Sequence, residues 1–128
     1  MPTSSQNPLD YDRLMRANLV QVFGEHDADR RLKAIGELYA ENAVLNEPHS
    51  SAEGHAAILQ AVTELLASLP PDFVFTALGP ALGHHGIGRL KWSAGSVGGP
   101  VAVTGMDIAQ FVDGRIHSLH VFLEPASA

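Results

Sequence analysis

Apolar positions recur at helical spacing through the first half of the chain and alternate with polar ones through the second. Between Leu9 and Glu25, Met15, Leu19, Val22 and Phe23 fall on one side of a 3.6-residue period, which predicts a helix. A second helix opens near Asp27 or Asp29, either of which can cap the free N–H groups of a first turn. Its apolar side carries Ala28, Leu32, Ile35, Leu38 and Tyr39. Ala43-Val44-Leu45 predicts a short strand that runs into Asn46-Glu47-Pro48, where proline stops regular structure. Ser50 and Glu53 have capping-box spacing. A third helix follows, with Ile58, Val62, Leu65 and Leu69 on one face, and ends before Pro70-Pro71.

From Asp72 the period changes. Phe73-Val74-Phe75-Thr76-Ala77-Leu78 is rich in residues that favour strands. Gly83-His84-His85-Gly86 reads as a turn, and Arg89-Leu90-Lys91-Trp92 alternates charged with apolar as a strand with one wet face does. After the loop Gly95 to Pro100, Val101 to Val112 predicts a long strand. Asp113-Gly114 is a hairpin signal, and Arg115 to Leu123 returns antiparallel. Helices grouped before a four-stranded antiparallel meander give an α+β fold, with the long helix packed into a curled sheet. Residues 1–8 read as a flexible tail and 9–128 as one domain.

Composition narrows the function classes. Of 128 residues, 45% are hydrophobic and 17% charged, enough to fill a single core. Eight Lys and Arg against 14 Asp and Glu leave a net charge of −6. An acidic chain lacks the basic footprint that nucleic acids and anionic membranes require. There are no cysteines, so disulfides, thiolate metal sites and cysteine nucleophiles are excluded. The polar start and the lack of a long apolar run leave no signal peptide or membrane span, and the expected location is cytoplasmic.

Leu38-Tyr39-Ala40-Glu41-Asn42-Ala43-Val44, then Asn46-Glu47-Pro48 and Gly54-His55-Ala56-Ala57-Ile58, form one set of motifs. Gly105-Met106-Asp107-Ile108-Ala109 and Phe111-Val112-Asp113-Gly114-Arg115-Ile116 form another. Together they resemble the nuclear transport factor 2-like superfamily, in its SnoaL-like, ketosteroid isomerase-like branch. The resemblance runs from about residue 10 to residue 124. It implies a cone-shaped barrel of three helices on a curved, mostly antiparallel sheet, with a pocket between them, and a homodimer formed through the convex sheet face. The residues themselves show no metal-ligand spacing and no glycine-rich phosphate loop, so no cofactor and no metal are expected.

Two carboxylates are the candidate catalytic groups. Glu47 ends an apolar strand just before a proline, and a carboxylate held against apolar walls has a raised pKa suited to proton transfer. In the resembled isomerases the general base occupies a Glu-Asp-Pro turn at the matching place. The alternative for Glu47 is a solvated loop acid. Asp107 lies inside a strand, where period 2 puts it on the face of Val101, Val103, Ala109 and Phe111. A charge there is costly unless protonated, paired or set in a cavity. The resembled isomerases keep a protonated, hydrogen-bond-donating Asp at that place. The alternative is a structural acid bonded to backbone or to a histidine, or one facing solvent in another register.

The departures are equally informative. The isomerases' oxyanion tyrosine on the first helix is replaced by Val22 or Phe23, its support on the third helix by Val62, and only Tyr39 remains. Tyr11 lies too early in the chain to substitute, so ketosteroid isomerisation itself is disfavoured. Arg89 points away from the face of Leu90 and Trp92, which disfavours an epoxide-hydrolase Asp–Arg–Asp set. His117 and His120 would point to opposite strand faces and make no metal pair. His49 and His55 flank Glu47 but read as surface or structural histidines. Phe23, Tyr39, Leu90 and Trp92, with Val103, Leu119, Val121 and Leu123, are the candidate pocket lining. The expectation is an acid–base enzyme, an isomerase, cyclase or dehydratase, acting on a small apolar carbonyl or hydroxyl compound. The competing expectation is a non-catalytic ligand-binding or dimerisation domain.

Overall fold

The computed structural model describes residues 9–125. The expected tail, residues 1–8, and the last three residues lie outside that range. Helix α1 (Tyr11–Ala17) is capped by the Asp10 carboxylate, which accepts from Arg13 N at 3.0 Å. It runs into a π-helical segment, Asn18–Phe23, closed by a bond from Gly24 N to Leu19 O at 2.8 Å. The single regular helix expected to Glu25 is therefore corrected. One wider turn rotates the last residues so that Asn18, Leu19, Val22 and Phe23 all become buried. Helix α2 (Ala28–Leu38) opens at Asp27, whose side chain accepts from Asp29 N and Arg30 N.

Strand β1 (Tyr39–Glu47) is longer than expected, and β2 (Ser50–Glu53) pairs back on it, with Glu47 opposite Ser50. Ser50 and Glu53 thus belong to a strand, and the capping-box reading fails. Gly54, at φ 89°, is the N-cap of α3 (His55–Ala67) instead, a conformation that a side chain would strain. Strands β3 (Phe73–Ala77), β4 (Leu82–His84), β5 (Ile87–Ser96), β6 (Val103–Val112) and β7 (Arg115–Pro125) follow. The turn after His84 places His85 and Gly86 at positive φ, and the hairpin at Asp113-Gly114 does the same.

The seven strands form one mixed sheet in the order β2-β1-β7-β6-β5-β3, with β4 also on β5. Every pairing is antiparallel except β1 on β7, a crossover that joins the first strand to the last. The expected meander is its β3-β5-β6-β7 part. Curvature of the sheet around the helices makes a cone.

One end of the cone is filled. Met15, Ile35, Ile58 and Val62 from the helices pack against Leu45, Leu90, Ile116 and Leu119 of the sheet, each at most 1% exposed. The Tyr11 ring closes that end edge-on to Phe111, and its hydroxyl accepts from Gly86 N at 2.8 Å. The other end stays open.

Candidate active site

Register brings the two acids onto one row of the sheet. Asp107 on β6 is opposite Val121 on β7. On β1 the parallel pairing sets Leu45 beside Leu119 and Asn46 beside His120, so Glu47 follows beside Val121. Two strand spacings, about 9.6 Å, thus separate the Cα atoms of Glu47 and Asp107. Glu47 shares its face with buried Leu45, and Asp107 shares its face with buried Ala109, so both side chains point into the cone.

Together they line a cavity of about 270 Å³ at the open end. Leu19 and Phe23 of the π-helical segment, with Leu65 and Leu69, form its helical wall. Phe73, Phe75, Trp92 and Ala94 form one side of the sheet wall, and Val103, Val121 and Leu123 the other. Apart from the two carboxylates and the Trp92 indole N–H, every lining side chain is hydrocarbon.

Asp107 is 2% exposed. Trp92 Nε1 donates to its Oδ1 at 2.9 Å, so the structural-acid alternative of a backbone or histidine partner is not what occurs. Among the described residues no Arg or Lys pairs with it. Burial without a counter-charge raises its pKa to about 7, the indole bond opposing that rise. At neutral pH the group is therefore divided between a carboxylic acid able to donate and a carboxylate able to accept.

Trp92 can hold this position because of Gly105. The two residues are cross-strand partners, and a Cβ on Gly105 would fall 2.2 Å from Trp92 Cζ2. The indole lies against bare backbone there and reaches along β6 to the acid two residues on. Phe75 braces it edge-on at a centroid distance of 5.5 Å.

Glu47 is half-buried and not a solvated loop acid. Burial raises its pKa above the usual glutamate range, and a long 3.5 Å contact from Ser50 Oγ partly opposes this. The turn at Pro48 and His49 fixes its place, and Ser51 Oγ donates to Asn46 Oδ1 at 2.9 Å across the same hairpin. Glu47 and Leu65 also border an outer cleft with Ser50, Ser51, Gln60 and Glu64, so the carboxyl stands between the cavity and a polar surface.

Three expected lining residues fall elsewhere. Leu90 and Leu119 point inward as their period requires but lie at the filled end of the cone, among the core side chains. Tyr39 is also fully buried, and its hydroxyl is committed to Asn18 Oδ1 at 2.5 Å. Phe23, Trp92, Val103, Val121 and Leu123 do line the cavity. Sequence reasoning missed Leu19, Leu65, Leu69, Phe73, Phe75 and Ala94. The alternation Phe73-x-Phe75 carried a signal, but the helical leucines look the same in sequence whether they meet core or cavity.

The histidines stay out of the cavity. His55 Nε2 lies 3.0 Å from both Tyr39 O and Ala40 O, pinning the start of α3 to β1. His49 is exposed at the hairpin. Among the described residues, no three His, Asp or Glu side chains are grouped to hold a metal, and no helix is long and apolar enough to cross a membrane.

The SnoaL-like domain family matches residues 17–119. A candidate isomerase of the SnoaL-like family from Agrobacterium tumefaciens C58 has a similar structure, with TM-score 0.83 and 25% identity over 90% of this chain and 97% of that one. A candidate ketosteroid isomerase from Kribbella flavida superposes at TM-score 0.71, with 18% identity over 93% of this chain and 81% of that one. A candidate polyketide cyclase from Sinorhizobium meliloti superposes at 0.66, with 15% identity over 94% and 99%. No curated protein sequence matches this chain. The domain match covers most of the chain and the fold agrees with it, so the protein belongs to the SnoaL-like family of the nuclear transport factor 2-like superfamily.

Proposed function

We propose that the protein is a cofactor-independent acid–base enzyme that moves a proton on a small apolar carbonyl compound held in the cavity. The observation that carries this is Asp107: a buried carboxyl with no cation beside it, facing an apolar cavity that also holds a second acid. Evolution of a purely structural core would favour a hydrocarbon there, since an unpaired buried acid costs stability. Glu47, ionised, takes the proton from the carbon next to the carbonyl. Asp107, protonated, donates a hydrogen bond to the carbonyl oxygen as charge develops on it. Glu47 then returns the proton to the same or a conjugated carbon, which regenerates both groups. A cavity of about 270 Å³ falls just below the ~300–1,000 Å³ of sites for drug-sized ligands, so the substrate is small.

The same proposal includes a cytoplasmic homodimer formed through the convex face. That face exposes Phe122 at 56%, beside Leu78, Met106 and Ile108 in one shallow groove.

The test needs no knowledge of the natural substrate. Small cyclic ketones and enones are incubated with the protein in D2O, and exchange of the hydrogens next to the carbonyl is followed by proton NMR. A positioned general base contributes about 10²–10⁴-fold. The parent should exceed buffer by a factor in that range, Glu47→Gln should return to buffer, and Asp107→Asn should lie between. A ketone that binds the cavity but exchanges no faster in the parent than in Glu47→Gln would leave the ligand-binding domain as the correct reading.

A further inference from the structure

Glu47 borders two hollows, and the acid–base reading uses only one of them. Glu47 and Leu65 line the cavity and also border the outer cleft between α3 and the β1–β2 hairpin. At about 430 Å³ the cleft is larger than the cavity, which holds about 270 Å³. Small side chains leave that space open: Ala57 and Ala61 on α3 and Ala52 on β2. On α3 the cleft residues 57, 60, 61 and 64 recur at helical spacing, so one stripe of the helix runs along it for about 10 Å. The stripe ends beside Leu65, at the cavity.

The placement of the two acids gives the cleft a direction. Asp107, which would hold the carbonyl oxygen, is 2% exposed, whereas Glu47, which would face the reacting carbon, is half-buried. Whatever part of a substrate extends beyond the reacting carbon therefore leaves on the Glu47 side, where the cleft begins.

Cleft and cavity differ in chemistry. Glu47 and Glu64 border the cleft, and no Lys, Arg or His does among the described residues. Its side-chain donors are turned toward the protein. Ser51 Oγ donates to Asn46 Oδ1 at 2.9 Å, Gln60 Nε2 donates to Glu64 Oε2 at 3.1 Å, and Ser50 Oγ is 3.5 Å from Glu47 Oε1. What remains for a ligand is mostly acceptors: hydroxyl lone pairs, the Gln60 amide oxygen and carboxylate oxygens. A phosphate or carboxylate would meet like charge there. A positively charged donor would find partners on both walls.

We infer that the cleft is a second substrate subsite: the substrate is a carbonyl compound bearing a protonated amine on a short arm, its carbonyl head in the cavity and its ammonium between Glu64 and the Ser50-Ser51 rim. This rests on the carbonyl reading above, which sets the reacting carbon at Glu47. Only the head then has to fit the cavity.

The test is calorimetric binding of ketones that share one head and differ in the arm. 2-(3-Dimethylaminopropyl)cyclohexanone carries a tertiary ammonium that cannot close to an internal imine. 2-(4-Methylpentyl)cyclohexanone has the same shape without the charge, and 4-(2-oxocyclohexyl)butanoate carries the opposite charge. In low salt the ammonium should bind about three- to fivefold more tightly than its neutral isostere, the worth of one partly exposed ion pair, and the carboxylate should bind more weakly than either. The preference should fade in about 1 M salt, where charges are screened beyond about 3 Å. Glu64 is exposed, so Glu64→Gln should fold, and it should remove most of the preference. The ratio between isosteres cancels any general change in the cavity. Equal binding of ammonium and isostere by the parent overturns this inference and leaves the carbonyl reading standing. A preference that Glu64→Gln leaves intact also overturns it, since the charge is then held elsewhere. A parent that binds neither these ketones nor unsubstituted cyclohexanone overturns both readings together.

Discussion

Replacing Asp107 by Asn should leave the protein's stability almost unchanged in acid and raise it in alkali. The carboxyl has a folded-state pKa of about 7 against 3.8 for an unburied aspartate. Between those values the folded chain holds a proton that the unfolded chain has lost, so stability falls as pH rises from about 4 through about 7. A pKa difference of about 3 at 1.36 kcal/mol each gives a cost of about 4 kcal/mol once the buried group is fully ionised. Asparagine is nearly the same shape, can still accept from Trp92 Nε1, and never ionises. At pH 4.5 the two proteins should differ by only about 1 kcal/mol, because the folded acid is still a neutral polar group like its replacement and only the unfolded aspartate has begun to ionise. At pH 9 the variant should be more stable by up to about 4 kcal/mol, which for a domain of this size is a Tm difference of about 10–15 °C. Glu47, the other carboxyl lining the cavity, is common to both proteins, so its own titration drops out of the comparison. The assay is thermal unfolding followed by circular dichroism in steps from pH 4.5 to 9.5. Two Tm curves that run parallel across that range would refute a buried, cation-free acid at position 107.

Trp92→Phe removes the one hydrogen bond that favours the ionised acid; a bond to a charged group is worth about 1.5–3 kcal/mol, so the Asp107 pKa should rise by about 1–2, measurable by carbon-13 NMR titration of its carboxyl. Gly105→Ala drives a methyl into the Trp92 ring; about 1–3 kcal/mol of stability should be lost in urea unfolding, and the tryptophan fluorescence should shift as the indole leaves the acid. The deuterium-exchange rate should rise with pH as Glu47 ionises, at a pH above the usual glutamate value. It should fall again through about pH 7 as Asp107 loses its donated proton, and a profile that keeps rising to pH 9 would remove Asp107 from its donor role. Ala94→Leu fills the cavity wall; it should abolish cyclohexenone binding in calorimetry without lowering Tm, whereas unchanged affinity would place the ligand elsewhere.

Several features were legible because each depends on residues close in sequence. The 3.6 period found α2 and α3, the 2.0 period found β5 to β7, Asp113-Gly114 fixed the last hairpin, and Asp107 was conspicuous as a charge on an apolar strand face. Glu47 was legible only through a resemblance, since a glutamate before a proline has no periodicity to set its direction. The capping box failed for a related reason. Ser50 and Glu53 have the right spacing, but the tight turn at Pro48-His49 folds them back onto Val44 to Glu47, and that hairpin pairing outcompeted a cap.

Sequence determined which face each apolar residue takes, and only tertiary structure decided what lies across from that face. Leu90, Trp92 and Ala94 alternate identically along β5, yet Leu90 packs in the core and the other two line the cavity. Leu119 and Val121 divide in the same way along β7. The difference comes from the cone, filled at one end and open at the other, and from the parallel β1–β7 pairing that closes it across more than 70 residues of chain. That pairing also sets Glu47 on the row of Asp107. The π-helical turn that buries Asn18 likewise carries no sequence period of its own. Local spacing dictates direction because backbone geometry repeats. Depth, neighbours and pKa depend on long-range packing, which no short stretch of sequence encodes.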